Sequence, residues 1–295
     1  MADYILSGCS TADLTEAQFI KRDIKYACFH YMLDGVDYID DLGKTMPLDE
    51  FYAAMQNGAE TKTSQITAGE FVAHFTPFLE EGKDIIHVCL SSGISGTVNS
   101  ANVAKDELLE KYPDRKIYIV DSLAASSGYG LILDKMADLR DEGYSIDELY
   151  AWVEENKLNM HLWFFSTDLT FFVKGGRISK ASGWFGTILQ ICPLMNMDNI
   201  GKLIPREKIR TKPKVIQAIV GKMLEHAVGG AEYSDKCFIS HSGRFNDAKE
   251  VANLIMEKMP GTKGKIVINN IGTTIGSHTG PGTVAVFFWG DKREN

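Results

Sequence analysis

Asp84-Ile-Ile-His-Val-Cys-Leu90, then Ser91-Ser-Gly-Ile-Ser-Gly-Thr97, then Asn99 to Tyr112, then Lys116-Ile-Tyr-Ile-Val120, is the stretch from which the fold is read. The first run is apolar and bounded by turn residues, the pattern of a strand buried on both faces. Asn99 to Tyr112 has the length and composition of a helix, and a second apolar strand follows it. Strand, loop, helix and strand in this order form a βαβ unit, whose strands lie parallel. The loop after a parallel strand opens at the strand's carboxyl end, where ligands bind. Here that loop offers serine hydroxyls together with the free N–H groups and partial positive charge of a helix N-terminus, which suits an anion. The same residues suit a plain capped helix, so the loop alone leaves both readings open. It carries no Gly-Lys-Ser/Thr and is not a Walker A loop.

The alternation extends outward. Tyr4 to Ser7 reads as a short strand, Lys25 to Leu33 as another, and Asp34-Gly35 as a turn before Val36. Pro47 to Met55 reads as a short helix. Thr67-Ala-Gly-Glu70 has the form of a capping box and predicts a helix to Glu81, ended by Gly82. Ser126 to Glu142 is a further helix. The N-terminal half is therefore expected to be α/β, a parallel sheet with helices on both faces. From Gly143 to Asn159 the character changes, and the boundary between two domains is placed near residue 155, giving 1–155 and 156–295. The second is expected to be a mixed-sheet α/β domain. It has an aromatic strand (His161 to Ser166), a hairpin over Ile191 to Ile209 and a helix after Pro213. Lys236 to Ser240, Lys265 to Asn269 and Thr283 to Trp289 are strands, with a helix over Asn246 to Lys258.

Composition bounds the partners. The 295 residues are 44% apolar and 24% charged, ordinary for a globular chain that buries a large core. Lys and Arg total 31 against 39 Asp and Glu, a net charge of −8. That balance lacks the basic field a nucleic acid requires. The five cysteines make no CxxC pair, and they read as free thiols in a reducing compartment. Met-Ala-Asp-Tyr is no signal peptide, and the apolar run Val284 to Trp289 is far too short to span a membrane. A cytoplasmic protein is expected.

Three more clusters carry possible chemistry. Thr63-Ser64-Gln65 places three donors in a row before the capped helix, although polar loops of this kind are common. Gly272, Gly276, Gly280 and Gly282 surround His278 on an expected loop, where a histidine readily charged near neutral pH could donate to an anion. In Lys174-Gly-Gly-Arg177-Ile-Ser179 an arginine behind two glycines can fork onto a carboxylate or phosphate, or simply follow a helix cap. The histidines show no metal-ligand spacing, so no metal and no cofactor is expected. Ser95 and His278 could form a nucleophile and base, but no third member of a triad stands out and no GxSxG elbow is present.

Together these segments resemble the DegV family of bacterial lipid-binding proteins. The resemblance rests on Ser10-Thr-Ala-Asp-Leu14, Thr63-Ser-Gln65, Leu90 to Thr97, Val120-Asp-Ser122 with Ser126-Ser-Gly-Tyr-Gly130, Gly175-Gly-Arg-Ile-Ser179, Lys208-Ile-Arg-Thr211 and His278-Thr-Gly-Pro-Gly282, in the family's order across nearly the whole chain. It implies a long-chain fatty acid held between the two domains, with its carboxylate bound by Thr63 and Ser95. Ser64, Gly96 and Gly280 would lie at the same site, and His278 and Arg177 would belong to the polar network around it. It further implies a carrier without catalytic activity of its own, which presents the acid to a fatty acid kinase for acyl-phosphate formation and phospholipid synthesis, with Arg210 meeting the kinase. The alternative is a hydrolase or acyltransferase using Ser95 and His278. Four positions in three segments depart from the family pattern: Gly8-Cys9 replaces Asp-Ser, Ile66 replaces Pro, and Cys192 replaces Lys.

Overall fold

The computed structural model describes residues 4–178 and 191–294. Its strands are β1 (Tyr4–Cys9), β2 (Lys25–Ala27), β3 (His30–Leu33), β4 (Val36–Ile39), β5 (Thr61–Ser64), β6 (Asp84–Cys89), β7 (Ile117–Asp121), β8 (Met160–Ser166), β9 (Ile191–Met197), β10 (Leu203–Arg210), β11 (Cys237–His241), β12 (Ile266–Asn270) and β13 (Thr283–Trp289). The α-helices are α1 (Glu16–Lys21), α2 (Leu48–Gln56), α3 (Ala68–Glu80), α4 (Thr97–Lys111), α5 (Ser127–Asp141), α6 (Ile146–Asn156), α7 (Thr170–Lys174), α8 (Lys212–His226), α9 (Phe245–Lys258) and α10 (Thr273–Thr279).

Strands β2-β1-β6-β7 form the expected parallel sheet, and β10-β9-β8-β13-β11-β12 form a mixed sheet that is parallel only between β11 and β12. The expected hairpin is β9–β10, closed where Asp198 Oδ1 accepts from the backbone N–H groups of Ile200 and Lys202 at 3.1 and 2.8 Å. Side chains of a strand alternate between faces. Leu162 and Phe164 of β8 and Ala285 and Phe287 of β13 face the N-terminal half and join its core. Trp163 and Phe165, with Val284, Val286 and Phe288, face the opposite way and pack on α8 and α9. Both faces are covered, so these strands read as unbroken apolar runs.

Helix α5 lies between the two sheets, touching β1 on one side and β8, β11 and β13 on the other. Nearly every residue from Ser127 to Leu139 is buried, as a helix enclosed on all sides requires. Its one deeply placed carboxylate, Asp134, is paired with Arg22 at 3.1 Å and with Lys236 at 2.5 Å.

Three local readings are corrected. Lys25 to Leu33 is not one strand. Phe29 turns the chain out of the parallel sheet, its N–H donating to Ser10 Oγ and its carbonyl accepting from the Asp40 N–H, at 3.1 and 2.8 Å. The segment Thr61–Ser64 is a strand of a small antiparallel sheet, β4-β3-β5, rather than a loop. Thr273–Thr279 is a helix, not a loop, although glycines flank it and its own residues are mostly weak helix formers.

Candidate functional site

A cavity of about 400 Å³ lies between the carboxyl ends of the parallel strands and the inner face of the six-stranded sheet. That size is within the roughly 300–1,000 Å³ typical of small-molecule pockets. Phe29, Leu90, Ile94, Leu162, Phe164, Phe172, Leu203, Ile271, Ile275, Ala285 and Phe287 make most of its wall. Thr63, Ser64, Gln65, Ser95, Gly96, Arg177 and His278 gather its polar groups.

Each polar side chain arrives from a different element. Thr63 and Ser64 end β5, and Ser95 and Gly96 precede the first turn of α4, where Ser95 Oγ accepts from the Thr97 N–H at 3.3 Å. Ser64, Gln65 and Gly96 are exposed, so the polar end is also the mouth. Arg177 follows α7, and its guanidinium donates to the Gly175 carbonyl at 2.6 Å. It is half-buried, and no carboxylate among the described residues pairs with it. His278 projects from α10 and shares a hydrogen bond of 2.7 Å with Thr63 Oγ1. The other ring nitrogen, Nδ1, is buried without a partner among the described residues, beside Gly175, where a Cβ would collide with it.

Helix α10 sits in the chain between strands of the C-terminal sheet but docks on the N-terminal half. Asp13 Oδ1 accepts from the Gly272 N–H at 2.9 Å, and Asp40 Oδ1 accepts from Thr273 Oγ1 at 2.9 Å. Tyr52 donates to the Ile271 carbonyl at 2.7 Å, and Thr61 to the Ser277 carbonyl at 3.2 Å. Two carboxylates at a helix N-terminus complement its partial positive charge. Burial raises the Asp40 carboxyl above its ordinary range and the Asp13 carboxyl well above it.

The electrostatics correct one expectation. Burial, reinforced by the Arg177 charge, lowers His278 to about 4, so the ring is neutral at physiological pH. A neutral imidazole can still donate one hydrogen bond, and the positive charge at the site is that of Arg177. His278 spends Nε2 on Thr63 rather than on Ser95, so the nucleophile–base pair of the hydrolase reading is not assembled.

Six of the expected ligand residues thus meet at one cavity: Thr63, Ser64, Ser95, Gly96, Arg177 and His278. Gly280 is not in the wall. It caps α10 with φ 66°, and Phe171 packs where a side chain would stand. Ser179, last in the arginine motif, lies outside the described residues. Gln65, the third donor of the Thr63-Ser64-Gln65 cluster, also lines the cavity, as do Ser126, Thr274 and Thr283, of which only Ser126 falls within a motif quoted for the resemblance. Arg210 is exposed at the end of the edge strand β10, away from the cavity wall. No helix among the described residues is long and apolar enough to cross a membrane.

The model of the family described as "Uncharacterised protein, DegV family" matches residues 10–291. The chain belongs to the DegV family. A DegV domain-containing protein of Clostridium perfringens is 37% identical over 294 residues, 100% of each chain. Among solved structures, this DegV chain resembles a fatty-acid-binding DegV family protein of Thermus thermophilus, with TM-score 0.85, 25% identity and coverage of 97% of this chain and 99% of that one. It shares its fold with the Fatty Acid Kinase B3 protein of Streptococcus pneumoniae, a structure loaded with linoleic acid, at TM-score 0.82, 22% identity and coverage of 99% and 100%.

Proposed function

We propose that this DegV protein binds one long-chain fatty acid in the cavity, carboxylate towards Thr63, Ser95, Arg177 and His278 and tail along the apolar wall. The supporting observation is the division of a single cavity into a polar mouth and an apolar interior. The acyl chain contributes about 0.8 kcal/mol per buried methylene, so the interior supplies most of the gross affinity. Two hydroxyls, the guanidinium and a neutral imidazole offset the desolvation of the carboxylate.

The acid group at an exposed mouth is within reach of a second protein. The chain acts as a carrier: a kinase partner transfers the terminal phosphoryl group of a nucleoside triphosphate to a carboxylate oxygen, the nucleoside diphosphate departs, and the acyl phosphate leaves. Arg210 lies on the partner-facing surface. It ends the strand whose first residue, Leu203, lines the cavity, about 23 Å away by strand rise. The two halves, divided near residue 155, act as the two jaws of the site.

Lipid extraction from the purified protein followed by mass spectrometry tests the reading, with acid and methyl ester compared on Ser95→Ala and wild type. Bound fatty acid and an acid-over-ester preference that Ser95→Ala reduces are expected. Absence of any bound or titratable fatty acid would refute it.

A further inference from the structure

On the far side of the six-stranded sheet from the lipid cavity, three side chains from three elements converge. His161 stands on β8, His226 ends α8, and Asp291 follows β13. His161 Nε2 lies 2.9 Å from Asp291 Oδ1, and His226 Nδ1 lies 3.3 Å from the same oxygen. All three ligand atoms fall within 4.8 Å of one another. The imidazole rings are stacked, with centroids 4.9 Å apart. We propose that this trio is a binding site for a divalent transition-metal ion of the zinc class.

The donor chemistry selects the class. Two imidazoles and one carboxylate suit zinc and its neighbours, and hard ions such as magnesium and calcium prefer oxygen donors throughout. A tetrahedral ion with bonds of about 2.0–2.2 Å sets its ligand atoms about 3.3–3.5 Å apart. The two separations to Asp291 Oδ1, 2.9 and 3.3 Å, are near that. Because the rings are stacked, the partly exposed His226 ring must turn to bring its lone pair onto the ion. Without an ion, the His161 Nε2–H donates to the Asp291 carbonyl at 2.8 Å. Coordination requires the neutral ring to carry its proton on Nδ1 instead, a tautomer change that needs no net proton transfer. The Glu225 carboxylate stands 3.7 Å from Nε2 of His226, the side on which outer carboxylates orient metal-bound histidines. His161 is buried, whereas the Asp291 side chain is 61% exposed, so an ion can enter from solvent. Three protein ligands leave a position for water.

Such an ion would pin the segment that joins the two halves. Two residues beyond Asp291, the buried Arg293 guanidinium donates to the Leu123 carbonyl of the N-terminal half at 2.8 Å and to the Asp198 carbonyl of the β9–β10 turn at 2.9 Å. The site therefore acts on the seam between the sheets rather than on the lipid.

Equilibrium dialysis of the chelator-treated protein against zinc tests the proposal, with cobalt(II) absorption as the second readout. One ion per chain is expected, with zinc raising the melting temperature and the cobalt spectrum lacking thiolate charge transfer. Asp291→Asn and His226→Gln should each weaken binding at least tenfold while leaving fatty-acid binding at the wild-type level, which also shows that both variants fold. No retained ion, retention that both variants leave unchanged, or a thiolate-ligated cobalt spectrum overturns it.

Discussion

Thr63→Val removes one oxygen and preserves the side chain's shape, and the structure assigns that oxygen two roles. It is the partner of His278 Nε2 at 2.7 Å, and it is one of the hydroxyls at the polar mouth. Nδ1 of His278 already has no partner among the described residues, so the substitution leaves the imidazole without its one hydrogen bond there, at about 1–3 kcal/mol. A hydrogen bond to a charged carboxylate is worth about 1.5–3 kcal/mol, so affinity for a fatty acid should fall roughly 10- to 150-fold. Affinity for the methyl ester should change little, because the ester carries no charge for the hydroxyl to stabilise. Competition titration with a fluorescent fatty acid, run with acid and ester on both proteins, measures the ratio directly. Equal losses for acid and ester would show that Thr63 supports the cavity wall without contacting the carboxylate. No loss for either would refute the polar clamp.

Three further outcomes follow from the same geometry. Ala285→Trp should fill the cavity beside its cross-strand neighbour Phe164 and shorten the preferred chain, each excluded methylene costing about 0.8 kcal/mol, or roughly fourfold in affinity, read from a chain-length series. Gly175→Ala should drive its methyl group into His278 and cost about 1–3 kcal/mol through overpacking, seen as a lower melting temperature together with weaker fatty-acid binding. The third concerns pH. Burial lowers His74 and His278 to about 4 from the ordinary 6.5 and holds His87 well below it. The unfolded chain therefore binds more protons between pH 4 and 6.5, so the stability these groups contribute is complete above 6.5 and is lost as pH falls towards 4. His278→Asn should remove about one proton from the uptake on unfolding near pH 5, measured as a shallower fall of the urea midpoint with acidification.

How far the sequence speaks depends on the range of the forces involved. The capping box at Thr67 and Glu70, with reciprocal bonds of 3.3 and 2.8 Å, is local chemistry and is legible from four letters. The β9–β10 hairpin and the alternation of strands and helices are legible for the same reason. Strand β5 is not. Thr61-Lys-Thr-Ser64 has no apolar side to its alternation, and it is a strand because β3 supplies a hydrogen-bonding edge. Helix α10 contradicts its own composition, because Asp13 and Asp40, far away in the chain, hold its N-terminus. The neutral state of His278 depends on burial, which a lone letter does not encode. His161, His226 and Asp291 escaped notice because 65 and 130 residues separate the histidines from the carboxylate, so no ligand spacing exists to be read.

The docking of α10 also sets an order of events in folding. Gly272 meets Asp13 across 259 residues, and His278 meets Thr63 across 215. Closing a loop of that length costs roughly 5 kcal/mol beyond the constant term, and nothing is returned until the contacts form. Leu90 and Ile94 come from the same short stretch of chain, and Leu162 and Phe164 follow some 70 residues later. Ile271, Ile275, Ala285 and Phe287, which complete the apolar wall, come from the same late part of the chain as His278. The cavity is therefore complete only when segments from both ends of the chain are in place, and whatever occupies it is held by the whole fold at once.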